Sequence, residues 1–215
     1  MNIRNSENVW VLAAFLGVTG VLAAAILAVV SKLTAEPVKR AGLQREEQAL
    51  RMLNLPEFNN TVRWRKIGET EFMAARKDGN IVGYAAKAVS SSGYGGKITA
   101  LIGFDPDGKI LAVCITEHSE TPGLGAKVCE RKVQKTIFNL FAPQQKGLPP
   151  NAVLDQFNGR NAASGGSWHL AKDGGTFKYI TGATVTSRAV IEIVNAACRE
   201  FAAAGAELKN EGAGK

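Results

Sequence analysis

Ile98-Thr99-Ala100-Leu101-Ile102-Gly103-Phe104, then Asp105-Pro106-Asp107-Gly108, then Lys109-Ile110-Leu111-Ala112-Val113-Cys114-Ile115: two runs rich in Ile, Val, Leu and small residues flank a turn ending in Asp-Gly. Asp-Gly is a strong hairpin signal because both central positions of the turn need positive φ. Upstream the pattern repeats, with Phe72 to Lys77 and Asn80 to Val89 flanking Asp78-Gly79. The segment between the hairpins, Ser90 to Gly96, is too glycine-rich to read as strand. Downstream, Ala126 to Phe141 reads as a helix with Val128, Val133, Ile137 and Phe141 inward. Residues Ala142 to Pro150 read as a Pro/Gln/Gly loop. A further strand pair, Trp168–Leu170 and Phe177–Ile180, turns at Asp173-Gly174-Gly175. A last helix spans about Thr186 to Ala204, with Val190, Val194, Ala197 and Phe201 on one face. Helix, meander, helix, strands, helix is the order of an α+β domain with a largely antiparallel sheet. It contains no βαβ nucleotide unit and no Walker-type phosphate loop.

The chain has 215 residues, 46% of them hydrophobic and 21% charged, which excludes a wholly disordered polymer. Its mean hydropathy of −0.03 is too low for a polytopic membrane protein. Yet Val9 to Val30 carries no charge, and as a helix it spans roughly 33 Å at about 1.5 Å per residue, enough for the ~30 Å hydrocarbon core of a bilayer. The run is longer than a signal-peptide apolar region, and Trp10 sits near one end, where an interfacial indole belongs. From Pro37 a second segment, Val38 to Leu53, reads as an amphipathic stalk helix ending at Leu55-Pro56. The expected division is an anchor over 1–31 (residues 9–30 in the lipid bilayer), stalk and linker over 32–66, a folded domain over 67–204 and a disordered tail over 205–215. Lys32, Lys39 and Arg40 follow the span, so the positive-inside count puts the large C-terminal part in the cytoplasm. The net charge of +7 is spread along the chain, as on a solvated surface, and no nucleic-acid partner is expected. Three cysteines and two histidines are too few and too scattered for a disulfide scaffold or a multi-histidine metal centre.

Two segments could carry chemistry. Thr181-Gly182-Ala183-Thr184-Val185-Thr186-Ser187 lies at a strand-to-helix junction. Gly182 permits a sharp turn or close approach of a ligand, and the helix start favours a phosphate; plain capping by Thr184 or Thr186 explains the same residues. His118-Ser119-Glu120-Thr121-Pro122-Gly123-Leu124-Gly125 follows a strand. Its glycines would open backbone amides to a planar or anionic ligand, and His118 and Glu120 could pair or act as acid and base; a strand-to-helix connection with a surface ion pair serves equally. Cys114 and His118 fall on one strand face at i, i+4, but two ligands do not make a metal site.

Taken in order, Gly93-Tyr94-Gly95-Gly96, the Asp105–Gly108 hairpin, His118-x-Glu120-Thr121-Pro122-Gly123-Leu124-Gly125 and Thr181-Gly182-Ala183-Thr184 resemble the FMN-binding domain family of bacterial ion-translocating electron-transport complexes. The likeness is to the G subunits of Rnf-type complexes, relatives of the C subunits of the sodium-translocating NADH:quinone reductases, and runs from about Ile67 to Phe201. It implies FMN bound covalently through a phosphoester to Thr184, installed by a separate flavin transferase that uses FAD. It also implies flavin contacts from Thr181, Gly182 and Ala183 and from the loop Glu120, Thr121, Gly123, Leu124 and Gly125, with Leu124 against the ring. Thr184 is then an attachment point; no catalytic side chain and no metal are expected. Relatives commonly carry an acidic residue three positions before the Ser/Thr that opens this motif, which is Thr181 here. Here that residue is Lys178, which would either slow modification or pair with the phosphate. The resemblance implies partners in a multi-subunit complex that couples ferredoxin/NAD electron transfer to ion translocation, in the bacterial inner membrane with the C-terminal domain periplasmic, against the charge count. The alternative of another class is a flavin-free, membrane-tethered binding or scaffold module.

Overall fold

The apolar run and the residues after it form one long helix, α1 (Arg4–Met52), in the computed structural model of the chain, which describes residues 4–61, 64–131, 148–164 and 167–210. Pro37, read above as the start of a separate segment, lies inside α1. A proline there removes one helical hydrogen bond, and the helix continues past it. The chain divides into two compact units, residues 1–44 and 45–215. In the first, Val9 to Val30 are exposed throughout, and the helix is long and apolar enough to cross a membrane.

The second unit starts with the end of α1 and continues into strands β1 (Asn60–Thr61), β2 (Arg65–Ile67), β3 (Thr70–Lys77), β4 (Asn80–Gly93), β5 (Gly96–Phe104) and β6 (Ile110–His118). They form one antiparallel sheet in the order β1-β3-β4-β5-β6, with β2 also pairing β3. Both hairpins stand where Asp-Gly put them. Asp78 and Gly79 take φ of 51° and 85°, and Gly108 takes 83°. Ser90 to Gly93, however, is strand. β4 runs through to Gly93, pairs Gly93 with Gly96 and turns at Tyr94-Gly95. These glycines serve close packing: a Cβ on Gly93 would lie 2.5 Å from Gly96 O, and one on Gly95 would collide with the Ser119 carbonyl.

The last helix, α3 (Thr184–Asn210), covers one sheet face. It begins two residues earlier than expected and runs through Gly205 to Asn210, so that stretch is helix rather than disordered tail; 211–215 lie outside the described residues. Val190, Val194 and Ala197 are fully buried and Phe201 is 8% exposed. Phe201 stacks on Phe104 at 4.6 Å and meets Tyr84 edge-on at 5.3 Å. Alanines 74, 86, 88 and 100 on the facing strands leave room for the helix. The expected strand pair near the C-terminus is instead a folded loop with one bridge, Leu170 to Phe177. Trp168, Leu170 and Phe177 are buried in the core, and Asn195 Nδ2 donates to Trp168 O at 2.9 Å. With side chains rather than a ladder holding it, the segment does not extend the sheet. The helix expected over Ala126–Phe141 is short, α2 (Gly125–Cys129). Glu130 turns extended (φ −88°, ψ 137°) and ends it, and residues 132–141 of that expectation, with 142–147 of the loop expected after it, lie outside the described residues.

The opposite sheet face buries Met73, Ala85, Leu101, Ala112 and Cys114 under Ala49 and Leu53. Lys87 Nζ meets Glu46 Oε2 at 2.7 Å beside them. Cys114, Cys129 and Cys198 are free and buried. Burial pushes the Cys198 thiol up to about 12, and burial with the nearby Glu120 and Glu130 carboxylates does the same for Cys129. Both protons are therefore held more tightly in the folded than in the unfolded chain. Their stabilisation is complete below the ordinary thiol pKa near 9 and is lost as pH rises towards about 12. The urea midpoint should accordingly fall between pH 8 and pH 10.5. At pH 8, N-ethylmaleimide should modify these cysteines only after denaturant is added, as read by mass spectrometry.

Candidate functional site

Three segments distant in sequence meet around one pocket of about 400 Å³, lined by Tyr94, Glu120, Thr121, Leu124, Gly125, Gly182, Ala183, Thr184, Val185 and Thr186. Tyr94 comes from the turn between β4 and β5, Glu120, Thr121 and Leu124 from the loop between β6 and α2, Gly125 from the start of α2, and the rest from the turn into α3 and its first residues. The volume suits a small cofactor.

The joint is Glu120, which is 5% exposed. Its Oε1 accepts the Gly95 N–H at 3.1 Å and its Oε2 accepts the Thr186 hydroxyl at 2.6 Å. One carboxylate thus fastens the hairpin tip, the loop and the first turn of α3. Gly125 leaves it room. A Cβ there would collide with Glu120 Oε2 and lie 2.8 Å from Thr186 Oγ1. Gly125→Ala should therefore cost about 1–3 kcal/mol of stability, as overpacking does, read as a lower urea midpoint than that of Gly205→Ala, where a Cβ meets nothing within 4 Å.

Thr184 opens α3 and is half-buried. Among the described residues no hydrogen bond engages its hydroxyl. Gly182 turns the chain into the helix with φ of 86°, a conformation that L side chains rarely adopt, and Leu124 Cδ2 closes on it, 3.3 Å from where a Cβ would be. The first turn of α3 has no acidic residue, so the positive end of its dipole faces the pocket without a neutralising charge on that turn. Thr186 lies inside α3 and gives its hydroxyl to Glu120, so it is not the cap.

Beyond α1, the exposed large apolar side chains among the described residues are Val89, Tyr94, Leu124 and Val185, and the last three line this pocket. Tyr94 is 74% exposed. Such a cluster marks a surface that something covers. A hydroxyl at a helix N-terminus, with apolar side chains around the same pocket, suits the phosphate and the planar ring of FMN.

Of the expected site residues, Glu120, Thr121, Leu124, Gly125, Gly182, Ala183 and Thr184 line the pocket. Gly123, Thr181 and Lys178 do not. Gly123 turns the loop with φ of 79° and Thr181 is exposed next to Gly182. Lys178 is exposed, its backbone N–H and carbonyl both bonded to the Gln156 amide. Tyr94, Val185 and Thr186 were missing from the expected set. Tyr94 stood in the Gly-Tyr-Gly-Gly motif, which was the available signal for it.

His118 and Glu120 do not pair through the carboxylate. His118 Nδ1 accepts the Glu120 backbone N–H at 3.3 Å, and its Nε2 lies 3.8 Å from Glu130. Nor do Cys114 and His118 share a face. A bulge at Thr116 breaks the register of β6, so that Cys114 pairs with Leu101 and His118 with Ile98, on opposite sides of the sheet. No group of three or more His, Cys, Asp or Glu fit to hold a metal occurs among the described residues.

A family profile described as the FMN-binding domain matches residues 93–199, the stretch that holds all three pocket segments. Among curated proteins, the G subunit of the ion-translocating oxidoreductase complex from Haemophilus influenzae (strain PittEE) is 39% identical over 125 residues, covering 58% of this chain and 53% of that protein. The protein of the same name from Escherichia coli O157:H7 is 35% identical over 130 residues, 60% and 55%. That of Vibrio parahaemolyticus is 32% identical over 183 residues, 79% of this chain and 78% of that protein. The matched region spans about half the length of the Haemophilus relative, whereas the Vibrio match covers most of both chains. By that match, and by the FMN-binding domain over residues 93–199, the chain belongs to the family of ion-translocating oxidoreductase complex G subunits.

Proposed function

We propose that the protein is a membrane-anchored electron carrier whose FMN is joined to Thr184 by a phosphoester. One observation carries this reading: the only unengaged hydroxyl opening α3 lies in the single pocket where all three motifs converge, among the described residues. In the attachment step, the Thr184 oxygen bonds to the FMN phosphorus of FAD, the pyrophosphate bond breaks, AMP leaves and the hydroxyl proton passes to solvent or to a base of the transferase. The chain's part is to present the oxygen. Gly182 and Ala183 keep bulk away from it, and the N-terminal dipole of α3 steadies the phosphate charge.

Bound FMN would supply reversible electron storage. The protein's own residues would cover one face of the ring with Leu124 and Val185 and meet it with Tyr94. Lys178, exposed and held at its backbone by Gln156, is free to swing its ammonium towards the phosphate or the transferase.

The relatives are named as subunits of an ion-translocating oxidoreductase complex. By analogy the carrier passes electrons between other subunits of such a complex, which couples ferredoxin/NAD electron transfer to ion movement. α1 holds it in the inner membrane with the domain on the periplasmic side, where the transferase reaches Thr184. The apolar rim favours this reading over a flavin-free scaffold, since a scaffold gives no reason for Tyr94, Leu124 and Val185 to surround a hydroxyl. Two measurements test it. Protein made with the transferase should show flavin absorbance that survives denaturation and gel filtration, and a bare protein spectrum would reject the carrier. A reporter fused after Lys215 and active only in the cytoplasm should stay silent, whereas a signal would favour the orientation given by the positive-inside count.

A further inference from the structure

We propose that the Glu120 carboxylate lowers the electron affinity of a flavin held at Thr184, by placing a buried negative charge in the floor of its pocket. The proposal rests on the reading of Thr184 above. Among the ten residues lining the pocket, Glu120 is the one carboxylic acid, and the set contains no lysine, arginine or histidine. Both oxygens accept, one from an N–H that can only donate, the other from a hydroxyl at 2.6 Å. That distance lies in the ~2.5–2.7 Å range of hydrogen bonds to charged oxygens. Burial to 5% exposure takes the charge out of water, where its field reaches further than at the surface. The start of α3 and the two donors offset the desolvation of a negative charge held there.

Two-electron reduction of FMN takes up two electrons with either two protons, leaving the ring neutral, or one proton, leaving it negative. Glu120 opposes the negative product, and no cation among the pocket residues offsets it. The chain would thereby make its flavin a stronger reductant than the same flavin over a neutral floor.

Two substitutions separate charge from clamping. Glu120→Gln keeps the shape. Its carbonyl can accept the Gly95 N–H, and its amide can donate to Thr186 Oγ1, which rotates to accept. Thr186→Val keeps the charge and removes one of its donors. The full chain and both variants, each made with the transferase and weighed intact, would be titrated with dithionite against a reference dye at pH 7. Dithionite supplies the electrons and is oxidised to sulfite. Glu120→Gln should favour reduction about tenfold, a potential more positive by about 30 mV for a two-electron couple. Thr186→Val should move it the other way. An unchanged or lower potential in Glu120→Gln overturns the proposal, as does a rise in Thr186→Val, which would make Glu120 a clamp alone. Should Glu120→Gln fail to fold, the direction in Thr186→Val decides. Wild-type chain with no added FMN would reject the attachment reading itself, whereas loaded proteins of equal potential reject only the tuning.

Discussion

Thr184→Val is expected to remove flavin attachment completely, while Thr184→Ser retains it. Valine is nearly isosteric with threonine and keeps the β-branched shape at the first position of α3, so the fold has no reason to change. What it lacks is the oxygen that bonds to phosphorus. Serine restores the oxygen on a smaller side chain, and half-buried Thr184 makes no hydrogen bond through its hydroxyl whose loss would matter. The other hydroxyls of the same segment cannot substitute. Thr186 is 1% exposed and committed to Glu120 at 2.6 Å, and Ser187 is fully buried, with its hydroxyl donating to Ala183 O at 2.9 Å. Thr181 is exposed but outside the pocket. Fluorescence on a denaturing gel should accordingly be present in wild type and Thr184→Ser and absent in Thr184→Val. A band surviving in the valine variant would move the attachment site elsewhere.

The second large effect concerns where the folded domain begins. A chain starting at Arg45 should fold cooperatively, and a chain starting at Ile67 should not. The sheet is covered on both faces, and the second cover is local: Ala49 and Leu53, with Leu50, Leu55 and Trp64 partly buried beside them, shield Met73, Ala85, Leu101, Ala112 and Cys114. Leu53 is fully buried. Gly103 lets its backbone approach the sheet, since a Cβ there would lie 2.9 Å from Leu53 O. Truncating one such leucine to alanine costs about 2–5 kcal/mol, against a total stability of about 5–15 kcal/mol for a domain. Removing the whole cover exhausts that margin. Near-ultraviolet circular dichroism and urea melts of the two fragments would check it, and Leu53→Ala in the longer one should lower stability by about 2–5 kcal/mol. A sharp melt from the shorter fragment would mean that this face tolerates water.

Much of this arrangement could be read from local chemistry. Asp78-Gly79 and Asp105 to Gly108 announced their hairpins because few residues accept left-handed backbone. The buried face of α3 followed from the spacing of Val190, Val194, Ala197 and Phe201. A hydroxyl, a glycine turn and a helix start made Thr184, Thr186 and Ser187 legible together as candidates, and the family resemblance singled out Thr184. What sequence hid were long-range relations. Glu120 bonds partners 25 and 66 residues away, so its role as the clamp of three motifs has no local signature. It invited an acid/base reading with His118 that the carboxylate is too occupied to support. The glycines of Gly93 to Gly96 looked like a break in structure, yet Gly93 and Gly95 answer to crowding by Glu120 and Ser119 where β4 turns into β5. A single inserted residue, Thr116, turned His118 to the face opposite Cys114. Near the C-terminus, Trp168, Leu170 and Phe177 had strand-like composition because they are buried, and burial alone does not distinguish a ladder from a loop packed on a helix.

The most direct test of the central claim is the intact mass of the wild-type chain made beside the transferase, followed by peptide mapping. The account predicts the genetic mass plus one FMN less one water, with the increment confined to the peptide that contains Thr184. An unmodified mass, or the increment on any other peptide, would contradict it.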